Sequence, residues 1–129
     1  MSEILVDTLT GKTSAGDITV TSEGGAATQS LQQGLAKAWG HFEGSDVVLD
    51  DSLNTSSVTD VNTGDFQINF SNAMDNVNYA AATAGNDTAI ISNRNGGYTT
   101  TSYRVVVRIL AGTAVDKDDI TYVIHGDLS

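Results

Sequence analysis

The chain has 129 residues, enough for one domain that buries roughly two-thirds of the surface its unfolded form exposes. Cysteine is absent, which excludes disulfides, thiolate nucleophiles, zinc-thiolate sites and iron-sulfur clusters. Sixteen Asp and Glu against six Lys and Arg give a formal charge of -10, and the cations Lys12, Lys37, Arg94, Arg104, Arg108 and Lys117 are scattered, so neither nucleic acid nor a membrane surface is an expected partner.

Met1-Ser2-Glu3-Ile4-Leu5-Val6 has no basic start and too short an apolar run for a signal peptide, which implies synthesis in a cytoplasm. Two short extended pieces, Ile4 to Leu9 and Asp17 to Thr21, flank the turn-like Gly11 to Gly16. With no aromatic residue before Trp39, residues 1–25 bury little alone and read as an extended arm that pairs with its own domain or with a neighbouring subunit. Ile4, Leu5, Val6, Ile18 and Val20, with Trp39 further on, are the candidate partner-binding residues. Residues 26–129 are the expected main domain.

One short helix is expected within residues 28–39. Ser30 is a candidate N-cap with Gln33 three residues later, and Leu31, Leu35, Ala38 and Trp39 recur at helical spacing. Gly34 inside it costs about 1 kcal/mol relative to Ala, so two or three turns are the limit, with extended chain again from Ala38 to Phe42. Strands are then expected at Val47 to Leu49, Ser56 to Thr59, Phe66 to Phe70, Val77 to Ala82, Thr88 to Ser92, Tyr98 to Leu110 and Ile120 to Ile124. Asn93-Arg94-Asn95-Gly96-Gly97 reads as a strong turn signal. In the long strand, Tyr103, Val105, Val107 and Ile109 share one face, and Arg104, Val106, Arg108 and Leu110 the other. Apolar residues on both faces imply either a covered central strand or a partner chain.

Short strands about every ten residues, in a chain where Thr, Ser, Asn and Gly supply 50 of the 129 residues, point to an all-β fold. The expected fold is a β-sandwich or jelly-roll-like domain with one short helix.

Chemical motifs are few. Gly11-Lys12-Thr13 fails as a phosphate loop, because the glycine required five positions earlier is Val6. Asp60, Asn62, Gly64 and Asp65 fail as a calcium loop, since the sixth residue is Asp65 and the twelfth Ser71. The same residues suit a bend in which Gly64 takes a positive φ. Asp50-Asp51 and Asp116 to Asp119 are acidic runs that would serve as turn residues or as a calcium site shared between subunits. His41 and His125 sit in no catalytic motif. Asn54-Thr55-Ser56 and Asn86-Asp87-Thr88 match a glycosylation pattern that is idle without secretion. No enzymatic activity, cofactor or metal is expected. A candidate ligand loop is Asn93, Arg94 and Asn95 with Tyr98.

Leu31 to Trp39, Asp51 to Asp60, Thr63-Gly64-Asp65-Phe66, Ile68-Asn69-Phe70, Ala73-Met74-Asp75 and Asn78-Tyr79 together resemble virion proteins of tailed bacteriophages, marine ones above all. The resemblance covers residues 30–80. It implies a β-rich, non-enzymatic surface module, commonly a homotrimer, carried on the virion and made in the host bacterial cytoplasm. Gly40-His41 departs from the pattern, where bulkier strand residues are expected. Without a fibre shaft in its length, the chain suits a capsid decoration or cement protein whose arm crosses neighbouring subunits of the major capsid protein or another virion protein. A short tail-fibre or adhesin subunit binding host-surface glycan is the second expectation, and a hydrolase on the same fold the third.

Overall fold

A computed structural model describes residues 3–86 and 88–129; Asp87, within the second glycosylation pattern, and Met1-Ser2 of the N-terminal reading lie outside it. Two compact units divide the chain, Met1–Leu35 and Ala36–Ser129. The boundary thus falls after Leu35 rather than after residue 25.

In the first unit, strands β1 (Thr19–Thr21) and β2 (Thr28–Ser30) form an antiparallel hairpin, and the helix α1 (Leu31–Gly34) follows directly. This explains the shifted boundary: residues 28–35 are tied back to residues 18–22. The amide of Leu31 donates to the carbonyl of Ile18 at 2.8 Å, and Ser22 pairs with Ala27 at the hairpin end. Ser30 caps the helix as expected, its Oγ accepting from the Gln33 amide at 3.3 Å. The helix lasts only four residues, and Leu35 is already extended. Ala38 and Trp39 belong to a strand, as the expected return to extended chain from Ala38 to Phe42 has it. Beyond the weak helix former Gly34, alternate burial of Ala38 and Phe42 in a sheet offers more than two further helical turns. Gly11 to Gly16 is a turn as read, closed by Gly11 N–H to the Ala15 carbonyl at 3.0 Å. Ile4 to Leu9 forms no strand.

The second unit is an all-β sandwich. Strands β3 (Ala38–Glu43), β4 (Val48–Leu53), β7 (Ala80–Ala84) and β10 (Ile120–His125) form one antiparallel sheet in the order β4-β3-β10-β7. Strands β5 (Thr55–Asn62), β6 (Asp65–Phe70), β8 (Ile90–Tyr98) and β9 (Ser102–Arg108) form the other, in the order β5-β6-β9-β8. Period-two alternation selects what faces inward. Ala38 and Phe42, Phe66, Ile68 and Phe70, Tyr103, Val105 and Val107, and Ile120, Tyr122 and Ile124 build one core between the sheets. Phe42 and Phe66 meet edge to face across it at 5.4 Å. Each such buried side chain contributes about 1.5–3 kcal/mol.

Gly40, the departure noted in the sequence, has a packing reason. It lies opposite Tyr122, and a Cβ there would stand 2.4 Å from the phenolic oxygen and 2.7 Å from Cζ. Tyr122 uses that space to lay its ring over β3 and join its hydroxyl to Thr55 Oγ1 at 2.6 Å, bridging the two sheets. Of the expected bend from Asp60 to Asp65, only Thr63-Gly64 is the turn: Asp60 to Asn62 end β5 and Asp65 opens β6. Gly64 has φ +64°, its amide donates to Asp116 Oδ1 at 2.6 Å, and its carbonyl accepts from the Val107 amide at 2.8 Å.

The turn signal at Asn93 to Gly97 is used differently from the expectation. These residues continue β8, where Asn93 faces Val105 and Tyr98 faces Tyr103, so five steps along β8 match two along β9. The excess residues bulge outward, with Gly96 at φ +73°. The chain actually reverses at Thr99 to Thr101, where Thr99 Oγ1 accepts from the amides of Ser102 at 2.8 Å and Thr101 at 3.2 Å. The expected strand from Tyr98 to Leu110 is therefore divided, Tyr98 closing β8 and Ser102 opening β9.

Candidate functional site

Each sheet turns one face outward, and the two faces differ in chemistry. On β5-β6-β9-β8 the outward residues are Asp65, Gln67 and Asn69 of β6, Arg104, Val106 and Arg108 of β9, and Ser92 of β8. Asp65 is nearly buried and grips Arg104 with both oxygens, Nε at 2.7 Å and Nη2 at 2.9 Å. That pairing holds the Arg104 guanidinium above its ordinary pKa. Arg94 of β8 reaches across β9 to Asp65 Oδ2 at 3.6 Å. Val106 is buried in the same lateral row as Asp65 and Ser92. Of the second face expected of the long strand, Val106 is thus buried while Leu110 is 78% exposed.

Ser92, Asn93, Arg94, Asn95, Val106 and Arg108 line an open cleft of about 380 Å³ on this face. Three residues of the expected ligand loop, Asn93, Arg94 and Asn95, are therefore beside a cation, Arg108, that lies distant in sequence. Tyr98 is not part of the cleft. It is half-buried, with its ring 5.0 Å from Tyr79 and 5.2 Å from Tyr103. Asn93 also turns its Oδ1 to the Tyr103 hydroxyl, which donates to it. Burial among these rings pushes the Tyr79 hydroxyl up to about 12 and raises Tyr103 as well.

On β4-β3-β10-β7 the outward row is apolar: Leu53, Trp39, Val123 and Ala82 stand side by side across all four strands. Trp39 is 37% exposed and Leu53 46%. Of the expected partner-binding residues, Trp39 is the one that the sandwich displays. In the N-terminal unit Ile4, Leu5 and Val6 are exposed at 82%, 83% and 55%, as is Leu9 at 60%. Val20 is half exposed, while Ile18 lines a cleft of about 430 Å³ with Leu9, Leu31 and Leu35.

Next to the apolar row lies a polar cluster that the sequence did not join. His41 and Glu43 project from β3 on the same side. A register shift between His41 and Phe42 leaves Asp50 as the extra residue of β4, and its Oδ2 stands 3.5 Å from His41 Nδ1. On the other flank Asp119, at φ +54° just before β10, places Oδ1 3.4 Å from His41 Nε2, and Glu43 Oε1 is 3.8 Å away. One member of each acidic run thus reaches the same imidazole within one chain. The other members are occupied elsewhere: Asp51 accepts from the Ser52 amide, Asp116 from Gly64, and Asp118 from the amide and hydroxyl of Ser45 at 3.0 and 2.6 Å. Those Ser45 bonds hold the Asp118 carboxyl below its ordinary range. His125 lies on the same sheet, opposite Ala80.

No protein-family model, curated protein or solved structure matches the chain. Among the described residues no helix is long and apolar enough to cross a membrane.

Proposed function

We propose that this chain is a structural protein of a bacteriophage virion, a decoration or cement protein on the head, in which the sandwich is displayed and the N-terminal unit anchors it. The observation that carries the reading is the stretch Ile4 to Leu9, without regular structure and with four large apolar side chains mostly in water. Each such side chain gains about 1.5–3 kcal/mol on full burial, so a strip of them favours an apolar groove on neighbouring shell subunits. The Trp39-Leu53-Val123 row supports self-association of the sandwich, as a homotrimer, which multiplies modest anchors by avidity.

The test is incorporation. Antibody labelling of intact virions is expected to mark the head at many copies. Ile4→Asp, Leu5→Asp double-substituted protein is expected to fold and to be lost from particles. Labelling confined to the tail, or normal incorporation of the substituted protein, would overturn the reading. The second reading, a tail-fibre or adhesin subunit binding glycan, rests on the Arg94-Asn95-Arg108 cleft, and tail-only labelling would favour it.

A further inference from the structure

We propose that Asn95 is a site of spontaneous covalent modification, at which the backbone nitrogen of Gly96 closes on the Asn95 side chain and leaves a carboxylate in the cleft of Arg94 and Arg108. Three observations carry this, and none depends on the virion reading.

The first is the dipeptide. Of the nine asparagines, only Asn95 precedes a glycine. Any other residue in that place sets a Cβ beside the attacking nitrogen, and glycine reaches the backbone angles of ring closure without that penalty. Attack within the chain is favoured because both groups are already held within reach of a five-membered ring.

The second is freedom. Asn54 and Asn86 donate through their side-chain amides, to the Asn72 carbonyl at 3.1 Å and to Asp119 Oδ2 at 2.9 Å, and Asn93 accepts from the Tyr103 hydroxyl. Among the described residues no hydrogen bond holds the Asn95 side chain. Gly96 has no partner in the register of β8 against β9. Both residues are exposed on the bulge, and a Cβ at Gly96 would meet nothing within 4 Å. The Gly96 nitrogen therefore turns toward Asn95 Cγ without breaking a registered strand pair.

The third is the setting. Asn95 lines one cleft with Arg94 and Arg108, and cations there favour the anionic nitrogen and the oxyanion that forms at Cγ. Gly96 N gives its proton to hydroxide and bonds to Cγ; the Cγ–Nδ2 bond breaks, and Nδ2 leaves as ammonia with a proton from water. Water then opens the succinimide, at Cγ to give aspartate or at the main-chain carbonyl to give isoaspartate. Either product replaces a neutral amide by a carboxylate beside the two arginines. Isoaspartate also lengthens the main chain by a carbon, which the bulge absorbs because residues 94–97 have no registered partners.

Peptide mapping of the full chain tests this. The protein is aged in mildly alkaline heavy-oxygen water beside a synthetic peptide of residues 93–98, which sets the unhindered rate. Trypsin cuts after Arg94 and Arg104, so the fragment 95–104 isolates Asn95 from every other asparagine. That fragment is expected to take up heavy oxygen at least about tenfold faster than residues 38–94, which hold the other asparagines, while an acidic form grows in step on anion exchange. Gly96→Ala is expected to slow the labelling by about tenfold or more, and Asn95→Gln to remove the acidic form. Circular dichroism of the acidic form is expected to match the parent's. The proposal is overturned if Asn95 stays unlabelled once the peptide has converted, if residues 38–94 lead, or if folded Gly96→Ala ages at the parental rate. A collapsed spectrum in the acidic form would equally overturn it, because the altered cleft would then not exist in a folded chain.

Discussion

Replacing Gly40 by Ala tests the packing logic that joins the two sheets. The new Cβ would stand 2.4 Å from the Tyr122 phenolic oxygen and 2.7 and 2.9 Å from Cζ and Cε1, well inside van der Waals contact. Tyr122 is wedged in the core, so its ring must move and release the 2.6 Å bond to Thr55. Overpacking costs about 1–3 kcal/mol and the lost hydrogen bond about 0.5–1.5. Removing a glycine from a strand returns about 0.5–1. The net is a destabilisation of about 2 kcal/mol, or a fall in Tm of roughly 8–16 °C for a unit of this size. Urea unfolding followed by tryptophan fluorescence at Trp39 reads it directly. In a Tyr122→Phe background the same substitution is expected to cost less, because the nearest clashing atom and the Thr55 bond are already gone. A Gly40→Ala protein as stable as the parent, or an undiminished cost in the Tyr122→Phe background, would refute the reasoning.

Two further outcomes are expected. Gly64→Ala meets both a left-handed φ of +64° and backbone atoms of Val107 and Val115 at 2.4 and 2.8 Å, whereas Gly96→Ala, at φ +73°, meets open space. The first is expected to lower the unfolding free energy read from urea titration by at least about 2 kcal/mol and the second by about 1, the cost of the left-handed backbone alone; equal effects would show that Gly64 is not closely packed. The second outcome concerns alkaline pH. Tyr79 ionises near 12 when folded and near 10 when unfolded, so above about pH 10 the unfolded chain releases a proton that the native one keeps. The stabilisation is complete below about pH 10 and falls by about 3 kcal/mol as pH rises through 12. Denaturation midpoints that stay level between about pH 9 and pH 11.5 would contradict this burial.

The sequence by itself determined the fold class and most strands, because alternation in stretches such as Phe66-Gln67-Ile68-Asn69-Phe70 is a local pattern that one buried face dictates. It also located the Ser30 cap and the Gly64 bend, both of which depend on a residue's own hydrogen-bonding or conformational range. Long-range pairing decided the rest. Ala38 and Trp39 fit a helical spacing as well as the extended chain expected from Ala38 to Phe42, and no local signal records that the strand's partner is β10. The glycines after Asn93 suit a turn as well as a bulge, and only the register of β9 against β8 selects between them. Asp65 looked like a turn residue until Arg104, 39 positions later, arrived beside it. The cluster around His41 was the least legible of all: Asp50 reaches it through a bulge and Asp119 through the approach to β10, so its members share no spacing in the chain and meet only because β4, β3 and β10 lie side by side.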